Sequence, residues 1–184
     1  MANGVVYVGS YDDNLYALDA STGALLWQYT TGNDVSSSPT VGNGVVYFGS
    51  NDDNVYALDA GTGALLWKYT TGNWVQSSPA VGNGVVYVGS NDDNLYALDA
   101  ATGVLLWQYT TFNPVLSSPA VANGVVYFGN NGALYALDAS TGALLWPGAG
   151  VASGESSPAV VNGVLYVGAS PGAFNTYMYA FSLP

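Results

Sequence analysis

Residues 81–120 read VGNGVVYVGSNDDNLYALDAATGVLLWQYTTFNPVLSSPA, and the forty residues before them carry the same residue at 32 of 40 positions. The segment GVVYVGS, or a close variant of it, begins at Gly4, Gly44, Gly84, Gly124 and Gly163, at spacings of 40, 40, 40 and 39 residues. A period of about 40 residues is typical of propellers and other repeat architectures. The chain therefore divides into repeats at about 1–40, 41–80, 81–120 and 121–159, with a partial repeat at 160–184.

Each repeat contains four short segments rich in Val, Tyr, Leu and Trp, separated by turn residues, and this pattern predicts four strands. In the third repeat we expect strand A at Ser77 to Val81, strand B at Val85 to Ser90, strand C at Asn94 to Ala100 and strand D at Val104 to Thr110. Strands B and C are apolar on both faces, so neighbouring sheets must cover both sides. The sequence therefore predicts an all-β protein, a β-propeller of four-stranded antiparallel blades.

The chain begins in a B strand and reaches a C strand in its last repeat, which predicts three full blades and two three-stranded ends within a single domain, 1–184. Two arrangements are open for these five blades. The chain is either a monomeric closed ring or a homo-oligomer in which chains complete one another's ring, because an open arc leaves apolar end faces in water.

Composition excludes several classes of function. The 184 residues contain no Cys and no His, which excludes disulfides, thiolate or imidazole zinc sites and a Ser-His-Asp triad. One basic residue against twelve acidic ones gives a net charge of -11, which disfavours nucleic acid as a partner. No run of about 18 apolar residues predicts a membrane span, and residues 1–4 lack the basic start of a signal peptide. The scarcity of charge suits an extracellular or periplasmic parent protein.

One motif carries a family resemblance. The run ALDAxTGALLW occurs at 17–27, 57–67 and 136–146, and at 97–107 with Val104 in place of the Ala before Leu-Leu-Trp. It resembles the tryptophan-docking motif of PQQ-type β-propeller repeats, and the resemblance covers nearly the whole chain. It implies a ring of seven or eight blades. The family contains quinoprotein dehydrogenases and non-enzymatic relatives such as the lipoprotein propeller of the outer-membrane assembly machinery, so the resemblance implies fold more strongly than function.

The motif also has a mechanical interpretation. Its Asp side chains are expected to accept N–H bonds from the turn that follows, as in an Asx turn, and its Trp rings are expected to pack against the neighbouring blade with the indole N–H bonded to a backbone acceptor. The Asp residues are Asp19, Asp59, Asp99 and Asp138, and the Trp residues are Trp27, Trp67, Trp107 and Trp146.

Antiparallel topology places the B-to-C turns and the D-to-A loops on the same face of the propeller. Paired carboxylates therefore gather there, at Asp12, Asp13, Asp52, Asp53, Asp92 and Asp93. Carboxylate and amide oxygens suit Ca²⁺, but two adjacent carboxylates fall short of the six to eight oxygens that Ca²⁺ prefers. Asp is also an ordinary tight-turn residue, so turn chemistry is the favoured interpretation and calcium the alternative.

Equivalent positions that differ between repeats could make this face asymmetric. In the D-to-A loops they include Asp34, Trp74 and Phe112, and at the start of strand A they include Gln76, Leu116 and Glu155. Apolar bulk beside a few polar groups is typical of a binding site. The alternative is that loop tips vary freely because little packing constrains them.

We therefore expect a non-catalytic scaffold or binding module, with no cofactor, whose partner is a protein or a small neutral or cationic ligand. The alternatives are an amplified or engineered repeat array without an evolved ligand and a multivalent glycan-binding lectin. A PQQ-dependent oxidoreductase is disfavoured, because its cofactor carries three carboxylates and Lys68 is the one basic residue. The vicinal disulfide that the resemblance would imply beside that cofactor cannot form without Cys.

Overall fold

The computed structural model describes residues 1–130, 132–147, 156–172 and 175–183. These residues form five antiparallel sheets, three with four strands and two with three, and no helix occurs among them. The predicted propeller of three full blades and two three-stranded ends is confirmed.

The eighteen strands follow the chain order, blade by blade. Blade 1 contains β1 (Val5–Gly9), β2 (Asn14–Asp19) and β3 (Leu25–Thr30). Blade 2 contains β4 (Thr40–Gly42), β5 (Val45–Gly49), β6 (Asn54–Asp59) and β7 (Leu65–Thr70). Blade 3 contains β8 (Ala80–Gly82), β9 (Val85–Gly89), β10 (Asn94–Asp99) and β11 (Leu105–Thr110). Blade 4 contains β12 (Ala120–Ala122), β13 (Val125–Gly129), β14 (Leu134–Asp138) and β15 (Leu144–Pro147). Blade 5 contains β16 (Ala159–Val161), β17 (Val164–Gly172) and β18 (Asn175–Ser182).

Strands β4, β8, β12 and β16, the A strands, lie next to one another from blade to blade and therefore line the centre. They are shorter than the sequence predicts, because strand A of blade 3 begins at Ala80 rather than Ser77. Pro79 has no N–H for a ladder. The two serines before it bond elsewhere: Ser77 Oγ donates to the Ser117 carbonyl at 2.9 Å, and Ser78 N donates to Ser118 Oγ at 3.0 Å.

The outer D strands carry a bulge that explains the Leu-Leu-Trp sequence. Ala57 lies opposite Trp67, but the next residue, Leu58, lies opposite Leu65, so Leu66 is the extra residue. The same shift recurs in blades 1, 3 and 4. A bulge changes which face the following side chains occupy, so both leucines stay exposed while Trp67 turns into the core.

Four hydrophobic clusters join the five blades, one between each successive pair. Phe48 and Leu58 of blade 2 pack on Leu15 of blade 1, and equivalent residues repeat this contact in the later pairs.

No cluster among the described residues joins blade 1 to blade 5. Val8 of blade 1 is 43% exposed and Met178 of blade 5 is 73% exposed, whereas their counterparts in blade 2, Phe48 and Val55, are fully buried. The described blades therefore form an open arc and not the closed five-bladed ring, because the two faces that would have to meet remain exposed.

Candidate binding face

The D-to-A loops (31–39, 71–79, 111–119) and the B-to-C turns (10–13, 50–53, 90–93) share one face, which we call the upper face. The first two loops bond to the turn of the next blade. Asn51 N donates to the Asp34 carbonyl at 2.8 Å, and Asn91 N donates to the Trp74 carbonyl at 2.9 Å. The backbone of these loops is therefore held in place while their side chains remain available.

The first Asp of the second and third B-to-C turns links neighbouring blades. Asp52 Oδ2 accepts from Gly32 N at 2.8 Å and from the Tyr56 hydroxyl at 2.6 Å, and Oδ1 accepts from Asn54 N at 3.2 Å. Burial raises the pKa of Asp52, but these hydrogen bonds outweigh it and leave the pKa below its ordinary value.

The equivalent Asp residues of the other turns, Asp92 and Asp12, share some of these hydrogen bonds. Asp92 Oδ2 accepts from Gly72 N at 2.6 Å and from the Tyr96 hydroxyl at 2.7 Å. Asp12 accepts only from groups of its own blade, including the Tyr16 hydroxyl at 2.7 Å, and that bond lowers its pKa.

The second Asp of each turn is held by its backbone. Asp13, Asp53 and Asp93 adopt φ of 69°, 69° and 70°, a left-handed conformation that Asp tolerates better than most residues. Their carbonyls accept from the N–H of the Thr that follows strand D, at 2.8 Å in all three blades. Among the described residues no group of three or more acidic side chains lies close enough to hold a metal ion, so calcium binding stays a prediction.

The variable residues lie on the upper face, with the aromatic ones at its loop tips. Trp74 is 46% exposed and Phe112 is 95% exposed. Gln76, Leu116 and Asp34 are half-buried. Glu155 lies outside the described residues.

Polar pairs line the start of the A strands. Ser36 Oγ donates to Asn51 Oδ1 at 3.2 Å, and Asn91 Nδ2 donates to Gln76 Oε1 at 3.2 Å. Asn91 Oδ1 is buried without a partner in the described part of the chain. The apolar Leu116 interrupts this series, so the rim of the central opening differs chemically from blade to blade.

Tyr11 is an upper-face residue that sequence reasoning missed. It occupies the position of Asn51 and Asn91 in the first B-to-C turn and is 78% exposed. Its departure from Asn in the other two full turns is the signal that could have identified it.

The motif tryptophans lie between blades. Trp27 Nε1 donates to the Ala60 carbonyl at 3.1 Å, and the Tyr7 hydroxyl donates to the same oxygen at 2.9 Å. The pattern repeats where Trp67 and Tyr47 donate to Ala100 and where Trp107 and Tyr87 donate to Ala139. These tyrosines were not singled out in the sequence, although the repeated segment GVVY marks each one.

Trp146 differs from the other three. Its ring packs against Phe181, with centroids 5.4 Å apart. Within the described residues, its indole nitrogen has no hydrogen-bond partner comparable to those above. The fourth interface is therefore built on apolar packing without the shared carbonyl.

The motif carboxylates close the C-to-D turns. Asp19 Oδ1 accepts from Ser21 N, Thr22 N and both of their hydroxyls at 2.6–3.0 Å. The side-chain bonds from Ser21 and Thr22 lower the pKa of Asp19 to about 2. Equivalent bonds lower the pKa of Asp59, Asp99 and Asp138. All four face water on the side opposite the upper face.

Buried serines before strand A are another feature that sequence reasoning missed. Ser37 Oγ accepts from Gly49 N at 3.1 Å, Ser77 Oγ accepts from Gly89 N at 3.1 Å, and Ser117 Oγ accepts from Gly129 N at 2.8 Å. The repeated Ser-Ser-Pro segment was the available signal. These serines tie the loop that carries the variable residues to the rigid B strand.

The upper face carries exposed aromatic rings and carboxylates on loops whose backbone is hydrogen-bonded. In the part of the chain that the structure describes, no helix has the length and apolarity to cross a membrane.

Comparison with known proteins identifies relatives by family and by fold. The family model described as outer membrane protein assembly factor BamB matches residues 1–76 and 51–177. No curated protein matches the chain.

Two solved structures show the same fold at low identity. BamB from Moraxella catarrhalis is 23% identical with a TM-score of 0.84, over 98% of this chain and 59% of that chain. The computationally designed Ika8 protein is 20% identical with a TM-score of 0.80, over 100% of this chain and 57% of that chain.

The chain thus spans less than two thirds of both solved structures while superposing almost completely on each. An arc that superposes on part of a longer propeller has the curvature of the larger ring, which explains why its ends do not meet. Because the family model spans nearly all of the repeats, the chain belongs to the family of the outer membrane protein assembly factor BamB.

Proposed function

We propose that this chain is a non-catalytic binding module whose protein partner docks on the upper face. The observation that carries the proposal is the pair of exposed aromatic side chains, Trp74 and Phe112, on adjacent loops of otherwise near-identical blades. Aromatic residues contribute a large share of the binding energy in protein interfaces.

The loops are prepared for docking because their backbone is already bonded. Both backbone groups of Trp74 are hydrogen-bonded. Its N–H donates to Asn73 Oδ1 at 2.8 Å, and its carbonyl accepts from Asn91 N at 2.9 Å. A loop that is ordered before binding loses less conformational entropy when a partner docks.

The charge of the upper face selects the partner's chemistry. Asp34, Asp53 and Asp93 belong to the loops and turns of the same face, and the chain has a net charge of -11. A neutral or basic protein surface therefore fits and an acidic one is repelled. Lys68, the one basic side chain, is exposed on outer strand β7, away from this face, which disfavours a polyanionic cofactor here.

The family description adds a biological setting to the proposal. A relative named as an outer membrane protein assembly factor supports a scaffold role in that process, in the periplasm. The partner would then be a component of the machinery that assembles outer-membrane proteins.

Photo-crosslinking tests the proposal. The chain is produced in the periplasm of an outer-membrane bacterium with a photo-reactive residue at Trp74, and a matched control carries it at Gln108, which is exposed on outer strand β11. We expect position 74 alone to form an adduct with an outer-membrane assembly protein. No adduct, or the same adducts from both positions, would refute the assignment of the upper face.

A further inference from the structure

The turn that precedes strand B has the sequence Asn-Gly in all five blades. These turns lie on the side opposite the upper face, and both residues of each turn are exposed. In blade 3, Asn83 has φ of 52° and Gly84 has φ of 78°, the left-handed pair of a type I′ turn. The five asparagines are Asn3, Asn43, Asn83, Asn123 and Asn162.

The peptide bond between Asn83 and Gly84 is open to water. In the described part of the chain, the amide of Asn83 makes no hydrogen bond and the N–H of Gly84 has no acceptor. A Cβ added at Gly84 would meet nothing within 4 Å. Asn83 also lines a groove of about 260 Å³ between blades 3 and 4. Nothing on the described surface therefore shields this bond or fixes the side chain beside it.

The asparagine that begins strand C is held in place by contrast. Asn94 Nδ2 donates to the Asp92 carbonyl at 2.9 Å, and Asn94 Oδ1 accepts from Thr110 Oγ1 at 2.6 Å. The residue that follows it, Leu95, is fully buried in strand β10. Two asparagines of the same blade thus differ in their hydrogen bonds and in the residue that follows them.

This difference bears on a reaction of the asparagine side chain itself. Asn is among the thermolabile residues of proteins, because the main-chain nitrogen of the next residue can attack its amide carbon. Glycine obstructs that attack least, since it has no Cβ. As Gly84 N bonds to Asn83 Cγ, the Cγ–Nδ2 bond breaks and Nδ2 leaves as ammonia with the proton of the Gly84 N–H. Water then opens the cyclic imide, which gives Asp or, when the main-chain bond is cleaved, isoaspartate.

We propose that the five Asn-Gly turns are sites of spontaneous deamidation, and that isoaspartate formation at them weakens the contacts between blades. Each event replaces a neutral amide by a carboxylate, so it makes the net charge of -11 more negative. Isoaspartate also routes the main chain through Cβ and Cγ. It therefore lengthens a turn whose two-residue length matches the twist of the flanking strands.

Gly84 lies one hydrogen bond away from the contact between blades 2 and 3. Its carbonyl accepts from Ala100 N at 2.9 Å. The Ala100 carbonyl in turn accepts from the Tyr47 hydroxyl at 3.1 Å and from Trp67 Nε1 at 3.0 Å. An additional main-chain atom at Asn83 displaces Gly84 relative to Ala100, and the two side chains of blade 2 then lose their aligned acceptor.

Mass spectrometry of the full chain tests the first part of the proposal. The chain is kept at mildly alkaline pH, and its chymotryptic peptides are followed for the mass gain that accompanies replacement of NH₂ by OH; an isoaspartate methyltransferase assay identifies the product. We expect modification at the Asn-Gly turns, at least about tenfold faster at Asn83 than at Asn94. Equal rates at these two residues would overturn the proposal. So would intact Asn-Gly turns after a period in which the free peptide VGNGVV, residues 81–86, reacts completely.

A glycine variant separates this reaction from general ageing of the chain. Gly84→Ala adds one methyl group in open space and is expected to slow modification at Asn83 by at least about tenfold. Asn43 of the same molecule keeps its rate and serves as the internal reference. An unchanged rate at Asn83 in this variant would contradict attack by the Gly84 nitrogen.

Thermal unfolding of fresh and aged protein tests the effect on the blades. We expect a lower Tm for the aged chain. A matched variant carries Asn3→Gly, Asn43→Gly, Asn83→Gly, Asn123→Gly and Asn162→Gly; glycine adopts the same left-handed φ and has no amide, so its Tm is expected to stay constant. An unchanged Tm of the modified chain, or an equal loss in the variant, would overturn the link to the blade contacts. These outcomes do not depend on the upper face or on its partner.

Discussion

The contact between each motif tryptophan and the glycine of the next blade can be tested by adding a single methyl group. Gly103 has φ of +73°, and a Cβ there would lie 2.7 Å from Trp67 Cδ2 and Cε3. Gly84, in the same blade, has φ of +78°, and a Cβ there would meet nothing within 4 Å. The two glycines therefore share their backbone strain and differ in the presence of the indole.

The expected magnitudes follow from these two terms. Ala in the left-handed region costs about 1–2 kcal/mol, which is the whole effect expected for Gly84→Ala. Gly103→Ala adds an overpacking cost of about 1–3 kcal/mol, because the Trp67 ring is 8% exposed and held by its bond to Ala100. We expect a total of about 2–5 kcal/mol for Gly103→Ala.

Thermal unfolding followed by tryptophan fluorescence measures both variants. Each kcal/mol lowers the Tm of a domain of this size by about 2–4 °C. Gly23→Ala is a second control. Gly23 lies in the equivalent C-to-D turn of blade 1 with φ of +72°, but no indole lies against it. If Gly103→Ala costs no more than Gly84→Ala and Gly23→Ala, the tryptophan contact does not hold the blades together and the account of the interfaces fails.

The remaining predictions concern other side chains. Trp67→Ala is expected to cost about 3–5 kcal/mol by truncation of a buried ring, whereas Trp74→Ala is expected to leave the Tm unchanged; equal losses in thermal melts would contradict the distinction. Asp52→Asn is expected to cost about 1–2 kcal/mol, because its carboxylate accepts from two blades, and Asp53→Asn, whose carboxylate makes no hydrogen bond in the described residues, serves as the neutral control in urea unfolding. Burial and then the bond to Asp52 raise the pKa of Tyr56 above its ordinary value of 10; stability is therefore intact below pH 10 and lost as pH rises through the raised pKa, and a tyrosinate absorbance that tracks unfolding would show it. In hydrogen exchange, the amides of β17 and β18 are expected to exchange before those of β9 and β10, since blade 5 lacks the shared carbonyl contact; uniform protection would argue against this.

The sequence predicts the blades well because each strand is a local pattern repeated several times. Period, turn residues and two-sided apolar strands are all visible within about 40 residues. The predicted length of strand A was wrong. Ser77 and Ser78 form hydrogen bonds to another blade, and the local pattern of apolar and polar residues does not reveal such bonds.

Ring closure is a different kind of property. It depends on the rotation between adjacent blades, which follows from how side chains such as Phe48 and Tyr56 fill each interface. A small change in that rotation accumulates over five blades. Copy identity therefore predicts that the blades stack alike, but it does not fix the number that closes a ring.

The candidate site was predictable only in part for a related reason. The position of Trp74 on the upper face follows from strand topology alone. The role of Asp52 does not, because an Asp that closes its own turn and one that also binds Gly32 of the preceding blade have the same local sequence. Contacts between residues twenty positions apart need the packed arrangement of two blades.

The carbonyl that receives both the tyrosine and the tryptophan explains why the interfaces can repeat so uniformly. Ala60 O accepts from Tyr7 and Trp27, which uses both of its lone pairs, while Ala60 N donates to the Gly44 carbonyl of its own blade. One residue thus joins its own blade, through its N–H, to a tyrosine and a tryptophan of the previous blade, through its carbonyl. Because this junction lies opposite the upper face, residues at the loop tips can change without altering it. The separation lets near-identical blades carry an upper face that differs from blade to blade, and among the described residues Leu183 takes this position in blade 5 without receiving either bond.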